Sequence, residues 1–217
     1  MNDDKNKQRY SNYLDSKIKR CFDIIICLLL FLPALTVVIF LGLIILIIEG
    51  RPVFFIHWRA GRNGQLFLMP KLRTLRSDAN PYKPSPKSDN EPFFTITGKF
   101  LRRCRLDELP QLFCVLTGRM SLVGPRPELP SIVATYAPLH KKRLTAKPGI
   151  TGLWQVRGNH KVAIHQDIKY DLYYLRKAGF RLDMKILVMT IPFVLNPKRA
   201  QNIYEDRIYT YNISMSE

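Results

Sequence analysis

The apolar positions divide the chain into a long apolar segment near its start and a more polar remainder. Residues 24–48 are apolar and contain no charged side chain. As one straight helix these 25 residues would be about 37 Å long, and the hydrocarbon core of a bilayer is about 30 Å thick. The segment therefore predicts a membrane helix, and it is too long for a cleaved signal peptide.

Pro33 and the basic flanks of this segment leave two topologies open. A proline inside a helix removes one hydrogen bond and kinks or breaks the helix. Residues 1–20 and residues 51–76 each hold six Lys or Arg side chains, and basic flanks favour the cytoplasmic side of a membrane. A re-entrant hairpin that bends at Pro33 keeps both flanks on that side, whereas a kinked helix that spans the bilayer exports one of them.

The remainder predicts a single α+β domain that is largely helical. Residues 53–74 read as two strands around a turn at Gly61–Gly64, which is the pattern of a hairpin. Residues 79–94 carry four prolines among polar residues and predict a loop.

Two adjacent acids, Asp107 and Glu108, lie at a predicted junction between two helices. Thr97 is the expected cap of the first helix, which would run to about Glu108. Pro110 suits the first turn of a second helix that ends at Gly118. Side chains at such a junction can face a cleft.

The segments after the acids alternate between rigid and apolar stretches. Residues 121–130 predict a rigid loop in which flanking prolines fix Arg126. Apolar spacing then predicts a strand or turn over 149–159, an amphipathic helix over 162–177 and a core or interfacial segment over 186–195.

These patterns divide the chain into four segments. They are a basic N-terminal segment over 1–20, a membrane helix over 21–49, a main domain over 50–197 and a polar tail over 198–217.

The charge predicts an anionic partner. The chain holds 34 Lys and Arg against 17 Asp and Glu, a formal charge of +17, which suits nucleic acid, acidic lipid or a phosphorylated substrate. The four cysteines include no C-x-x-C pair, which argues against a disulfide framework and fits a reducing compartment.

The acids and their cationic neighbours carry the candidate chemistry. Phosphoryl transfer neutralises phosphate oxygens with Mg²⁺ on one or two carboxylates and with Arg or Lys side chains. Asp107 and Glu108 supply the carboxylates, with Arg102 and Arg126 as candidate phosphate ligands. A carboxylate can also be the nucleophile. The alternative is a surface ion-pair patch, with the arginines of residues 102–105 on a solvated face attracted to anionic lipid.

Several motifs resemble the bacterial sugar transferase family, the monotopic phosphoglycosyl transferases. The main one is LDELPQLFCVLTGRMSLVGPRPEL at 106–129. It is supported by PVFFIHWRAGRNGQLFLMPKLRTL at 52–75, PGITGLWQV at 148–156 and DLYYL at 171–175. The resemblance extends from about residue 17 to about residue 195, the minimal catalytic form of the family.

The resemblance implies transfer of a phosphosugar from a UDP-sugar to a polyprenyl (undecaprenyl) phosphate, giving polyprenyl diphosphate sugar and UMP. Asp107 would be the nucleophile and Mg²⁺ ligand, Glu108 its catalytic partner, and Pro33 the bend of a re-entrant helix. The substrate-binding residues would be Lys71, Arg73, Arg102, Arg126, Gln155 and Arg157.

The resemblance also implies where the protein works and with what. The expected place is the cytoplasmic face of a bacterial inner membrane, in contact with its lipid. The step would open a surface glycan pathway that supplies exopolysaccharide, capsule or O-antigen. Downstream glycosyltransferases are possible partners, and no nucleic acid is expected.

The sequence departs from the family pattern at a few positions. Leu32 stands where Ser often precedes the membrane proline, and His57 where Gln is usual. Asn159 replaces the Arg of the family's G-L-W-Q-V-S-G-R pattern, and Arg157 stands two residues earlier. These changes concern nucleotide contacts and sugar choice, and they leave the Asp107 chemistry unchanged.

The alternative function is non-catalytic: the protein would be a membrane-anchored binder of anionic lipid or nucleic acid. It explains the positive charge and the apolar segment, but not the paired acids, Arg126 or the long motif.

Overall fold

The computed structural model describes residues 10–76, 79, 93–157 and 167–195. Its helices are α1 (Lys17–Glu49), α2 (Ile96–Arg103), α3 (Leu112–Leu116), α4 (Pro130–Ala134), α5 (Pro138–Lys141), α6 (Leu153–Arg157), α7 (Lys169–Lys177) and α8 (Phe180–Leu195). Its strands are β1 (Phe54–Ala60), β2 (Leu66–Leu72), β3 (Ser121–Val123) and β4 (Gly149–Thr151). The prediction of a largely helical α+β fold is confirmed.

Helix α1 contains the membrane helix predicted over 21–49 and begins four residues before it, at Lys17. Ser16 caps it by accepting a hydrogen bond from the Lys19 amide at 3.1 Å. The helix continues through Pro33, so the predicted break into two arms at this residue is wrong. A proline removes a single hydrogen bond, and apolar surroundings offer the remaining backbone groups no better partners than the helix itself. The re-entrant topology stays a prediction.

Both ends of α1 are attached to the same domain. Near its start, Lys19 pairs with Asp183 of α8 at 2.7 Å and with Asp23 at 2.9 Å. At its end, the Glu49 carboxylate accepts a hydrogen bond from the Thr97 amide at 3.1 Å. Among the described residues, α1 is the one helix long and apolar enough to cross a membrane.

The predicted hairpin is confirmed as the antiparallel pair of β1 and β2. The register places His57 opposite Met69 and Trp58 opposite Leu68. The strands join through a 3₁₀ turn at Arg62–Gly64. Because side chains alternate along a strand, one face of this hairpin covers the acids and the other points away from them.

The helices around the acids differ from the prediction. Thr95, and not Thr97, caps α2, by accepting a hydrogen bond from the Gly98 amide at 3.0 Å. The helix ends at Arg103 and not near Glu108, because Arg105 adopts a left-handed conformation with φ 54° that an α-helix cannot contain. The acids instead lie in the 3₁₀ segment Leu106–Gln111, which also contains Pro110.

The predicted second helix is the short α3, which starts directly after the 3₁₀ segment. Pro110 therefore precedes this helix and does not lie in its first turn. Gly118 follows α3 with φ 80°, as expected of a residue that ends a helix.

The C-terminal half contributes most of the main core, which also includes residues of α1 and β2. Strands β3 and β4 pair in parallel. Of the strand or turn predicted at 149–159, the first three residues form β4, and the helix α6 follows. The predicted helix at 162–177 begins at Lys169, and residues 162–166 lie outside the described part. Residues 80–92 of the loop predicted at 79–94 and the predicted tail also lie outside it. The apolar segment 186–195 belongs to α8, where Ile186 is fully buried.

Candidate active site

Glu108 is the more tightly held of the two acids. Its Oε1 atom accepts hydrogen bonds from Lys71 at 2.7 Å and from Arg126 at 3.0 Å. Asp107, the other buried acid of the turn, has the Lys71 ammonium at 3.8 Å. One carboxylate is therefore neutralised by two cations, whereas its neighbour is left with a longer contact to one of them.

The surroundings move the pKa values of the two acids in opposite directions. Burial raises the pKa of Asp107, and the positive charge of Lys71 only partly offsets this. Burial also acts to raise the pKa of Glu108, but Arg126, Lys71 and Arg105 together bring that pKa well below its usual value. A pair of carboxylates with opposed pKa shifts is typical of sites that give the two groups different roles.

The loop after β3 holds Arg126 as the sequence predicts. Arg126 donates to Glu108, and its own carbonyl accepts a hydrogen bond from Arg143 at 2.9 Å. Arg143 is almost fully buried and also donates to Asp171 at 2.8 Å and to Tyr136 at 2.7 Å. The loop is thus fixed by a buried ionic network in addition to its prolines.

The inner face of the hairpin supplies residues that the sequence reasoning missed. His57 and Arg59 share this face with Lys71, since side chains two apart on a strand point the same way. Burial lowers the pKa of His57 to about 3, and the nearby Arg59, Lys71 and Arg126 act in the same direction. Neither ring nitrogen of His57 has a hydrogen-bond partner among the described residues. The alternation of Phe55, His57 and Arg59 in the sequence was the signal for this face.

Arg59 and Arg105 add two more positive charges near the acids. Burial lowers the pKa of Arg59 to about 10, with the charge of Arg126 adding to this effect. Burial likewise lowers the pKa of Arg105, while Glu108 opposes the change. These cations surround a site with few carboxylates, which suits a substrate that is itself multiply negative.

The two arginines of α2 face different surroundings. Arg102 lies over the Phe94 ring at 4.9 Å, and its charge acts to lower the pKa of Asp107. Arg103 is exposed. Of the three arginines at 102–105, Arg103 is thus the one on a solvated face.

Two predicted substrate residues, Arg73 and Gln155, have hydrogen-bond partners within the fold, and the role of a third, Arg157, stays a prediction. Arg73 donates to the carbonyls of Glu49 and Gly50 at 2.7 and 2.9 Å, so it ties the end of α1 to the hairpin. Gln155 is buried on α6 and donates to the Ile150 carbonyl at 2.7 Å. Arg157 ends α6, where it is half-buried, and Asn159 lies outside the described residues.

The site offers limited protein ligands for a metal ion. No group of three or more His, Cys, Asp or Glu side chains is placed to hold a metal within the described ranges. Mg²⁺ commonly binds through one or two carboxylates together with substrate phosphates. Asp107 fits such a role because its carboxylate is less neutralised than that of Glu108, and an anionic substrate would supply the remaining oxygens.

A buried acid beside a ring of cations defines a site for phosphoryl transfer, and comparison with known proteins agrees. The chain matches the bacterial sugar transferase family over residues 14–197. It therefore belongs to this family, and the resemblance drawn from its motifs is confirmed, as is its assignment as a sugar-phosphate transferase.

The names of similar proteins refer to polysaccharide production, to galactosyl transfer and to a lipid carrier. Galactosyl transferase CpsE of Streptococcus agalactiae is 38% identical over 159 residues, and the exopolysaccharide production protein ExoY of Rhizobium meliloti 34% over 194 residues. The undecaprenyl-phosphate galactose phosphotransferase of Salmonella typhimurium is 35% identical over 193 residues.

The lengths of these relatives differ from that of the chain. The matches cover 68%, 81% and 82% of this chain, and 35%, 84% and 40% of CpsE, ExoY and the Salmonella protein respectively. The chain thus spans less than half of two of these proteins and most of ExoY.

Proposed function

We propose that the protein transfers a phosphosugar from a UDP-sugar to a polyprenyl phosphate, giving polyprenyl diphosphate sugar and UMP. The observation that carries the proposal is the contrast between the two acids. Glu108 is engaged by Lys71 and Arg126, whereas Asp107 is held less tightly and is the better candidate for attack on phosphorus. The name of the Salmonella relative, an undecaprenyl-phosphate galactose phosphotransferase, supports the lipid acceptor.

The first half of the reaction forms a covalent intermediate on Asp107. A carboxylate oxygen attacks the sugar-bearing phosphorus of the UDP-sugar, and the bond from this phosphorus to the bridging oxygen breaks. UMP leaves with that electron pair, and an acyl phosphate remains on Asp107. Lys71 and Arg126 are placed to stabilise the negative charge that develops on the phosphate oxygens.

The second half returns Asp107 to its original state. A phosphate oxygen of the polyprenyl phosphate attacks the same phosphorus, and the bond to the Asp107 oxygen breaks. Two anionic substrates thereby use one cationic pocket in turn, which avoids their mutual repulsion in a single encounter. Glu108 is placed to keep Lys71 and Arg126 oriented in both halves, because both cations donate hydrogen bonds to its carboxylate.

Asp107 would hold Mg²⁺ together with oxygens of the donor diphosphate. When bound, the ion would act as a Lewis acid that neutralises the charge of the leaving group. The scarcity of other carboxylates in the site supports this dependence on a cation supplied with the substrate.

The placement of α1 supports a membrane anchor that does not cross the bilayer. Lys19 and Glu49, near its two ends, are bonded to the same domain, so a helix that crossed the membrane would require that domain on both sides. Cysteine reporters are placed at Asn12 and Gln65, both exposed, in a chain in which the exposed Cys21 is replaced by Ser. Both reporters should react with a label added on the cytoplasmic side and not with a label added on the other side. Labelling of the two positions from opposite sides would mean a spanning helix.

We further infer that the reaction opens the assembly of a bacterial surface glycan at the cytoplasmic face of the inner membrane. Two relatives are named for exopolysaccharide production or galactosyl transfer, which supports such a pathway. The diphosphate sugar produced would be the substrate of downstream glycosyltransferases.

The proposed activity is tested by UMP release. Enzyme held in nanodiscs is incubated with a panel of UDP-sugars and with polyprenyl phosphate in the presence of Mg²⁺, and both UMP and the lipid product are measured. Formation of both with at least one donor is expected. Salt-sensitive lipid or DNA binding without any UMP would instead favour a non-catalytic binder.

A further inference from the structure

The two faces of the β1–β2 hairpin have opposite chemistry. The inner face carries His57, Arg59 and Lys71 towards the acids. The outer face is apolar and contains no charged side chain. Ala60 and Leu72 of this face are buried, and its other residues are Phe54, Ile56, Trp58, Leu66, Leu68 and Pro70. Five of these side chains are between 44% and 56% exposed. When one face of an antiparallel sheet contacts water, the side chains on that face are normally polar.

An apolar sheet face of this kind requires a covering partner. A two-stranded hairpin with an exposed apolar face is otherwise an aggregation site. Five half-exposed side chains present on the order of 500 Å², taking 150–250 Å² for a large side chain. A stable protein interface buries roughly 800 Å² on each partner, so a second copy of the chain would find this face too small on its own.

The outer face continues the apolar surface of α1. Leu72 lies opposite Phe54 at the base of the hairpin and is buried against Leu41 and Ile45 of α1. From there α1 presents aliphatic and aromatic side chains outwards, such as Phe40, which is 63% exposed, and Ile47, which is 82% exposed. A surface made of both elements is larger than the hairpin face alone and is continuous with the helix that is long and apolar enough to enter a bilayer, which favours lipid as the partner.

The position of charge around this surface agrees with a lipid partner. Arg51 is exposed directly before β1, and the chain as a whole carries +17. Cations at the edge of an apolar surface are favoured beside anionic headgroups. Phe113 of α3 is also 60% exposed, and the neighbouring Cys114 contacts the Leu68 carbonyl at 3.7 Å, so a further exposed aromatic residue lies near the hairpin.

We propose that the outer face of the β1–β2 hairpin inserts into the membrane interface and is a second anchor beside α1. The hairpin then separates the lipid from the acids by the thickness of one sheet, with Lys71 on the inner side between the outward Pro70 and Leu72. This arrangement holds the 3₁₀ segment that contains Asp107 and Glu108 at the height of the lipid headgroups. Its use for a lipid phosphate rests on the proposed function, whereas the membrane contact itself does not.

Tryptophan fluorescence tests the contact without catalysis, because the chain has two tryptophans, Trp58 and Trp154. Trp154 is buried, so Trp58 should be the one quenched by brominated acyl chains when the full chain is held in nanodiscs. We expect the tryptophan emission of the wild type to fall in brominated lipid. The emission of Trp58→Phe should fall much less, because only the buried Trp154 remains. Quenching of Trp58 by aqueous acrylamide, but not by brominated lipid, would overturn the proposal.

A charge variant gives a second readout. Ile56→Lys places a cation in the outer face, and Leu139→Lys is the matched control at a 46% exposed leucine of α5. We expect Ile56→Lys to reduce quenching of Trp58 by brominated lipid and to raise KM for polyprenyl phosphate roughly tenfold, equivalent to 1.4 kcal/mol, while Leu139→Lys changes neither. Protection of Trp58 from both quenchers, together with dimers in the nanodisc, would mean that a second copy covers the face and would also overturn the proposal.

Discussion

Replacing Arg143 by Met should destabilise the protein strongly, although Arg143 lies outside the group of residues around the acids. The Arg143 guanidinium is 2% exposed and donates from three nitrogens, to Asp171, Tyr136 and the carbonyl of Arg126. Methionine has a similar length but no charge, so it would leave the buried Asp171 carboxylate without this cation. Breaking a buried ion pair from one side costs about 3–5 kcal/mol.

This cost corresponds to a fall in Tm of roughly 6–20 °C for a chain of this size, at roughly 2–4 °C per kcal/mol. The assay is thermal unfolding in detergent, followed by tryptophan emission. Arg62→Met is the matched control, because it breaks the ion pair with Asp15 whose side chains are 37% and 61% exposed. An exposed pair is worth about 0–1 kcal/mol, so the control should shift Tm by no more than about 4 °C.

A double variant separates the charge effect from simple loss of packing. Arg143→Met with Asp171→Leu removes both charges and should recover part of the lost stability. Activity should stay low, because the carbonyl of Arg126 has still lost its donor. Equal Tm losses for Arg143→Met and Arg62→Met, or a double variant no more stable than the single one, would refute this reasoning.

Three further outcomes are expected around the acids. Glu108→Gln removes the charge that orients Lys71 and Arg126, so turnover measured as UMP release should fall on the order of 10²-fold, the cost of a misplaced catalytic contact, and a loss below tenfold would contradict this role. His57 binds a proton more readily in the unfolded chain than in the folded one, because its folded pKa is about 3. The free energy of unfolding measured in urea should therefore fall as pH drops from 7 to 5. This fall should be larger for the wild type than for His57→Gln, by on the order of 1 kcal/mol. Excess chelator should abolish activity and added Mg²⁺ restore it if Asp107 binds the ion with substrate, whereas full activity in chelator would exclude this role.

The sequence predicts those parts of the fold that depend on local patterns. The hairpin follows from alternating side chains around Gly61 and Gly64, and the acids were expected at a junction between helices. The end of α2 was misplaced because it depends on the left-handed conformation of Arg105, a residue type that carries no such signal.

Contacts between distant residues could not be read from the sequence. Lys71 and Arg126 reach Glu108 from 37 and 18 positions away, so the unequal state of the two acids appears only in the folded chain. Arg73 was expected beside the substrate because the family resemblance implied it. Strand β2 ends at Leu72, however, so the alternation stops there and Arg73 turns to the end of α1.

Burial also changes the meaning of charge runs. Residues 141–143 form a basic run that would ordinarily be solvated, yet Arg143 is almost fully buried. Its partners are Asp171 of α7, the carbonyl of Arg126 and the hydroxyl of Tyr136, and none of them is adjacent to it in the sequence.

The central claim is that Asp107 carries the phosphosugar between donor and acceptor. The most direct measurement is intact-protein mass spectrometry of the enzyme mixed with a UDP-sugar and Mg²⁺ in the absence of lipid, with UMP quantified in parallel. The account predicts one phosphosugar per chain, a matching burst of UMP, loss of both in Asp107→Asn, and release of the adduct when polyprenyl phosphate is added. A wild-type enzyme that transfers the phosphosugar to lipid, yet shows neither adduct nor burst, would contradict it and indicate direct transfer between the two substrates.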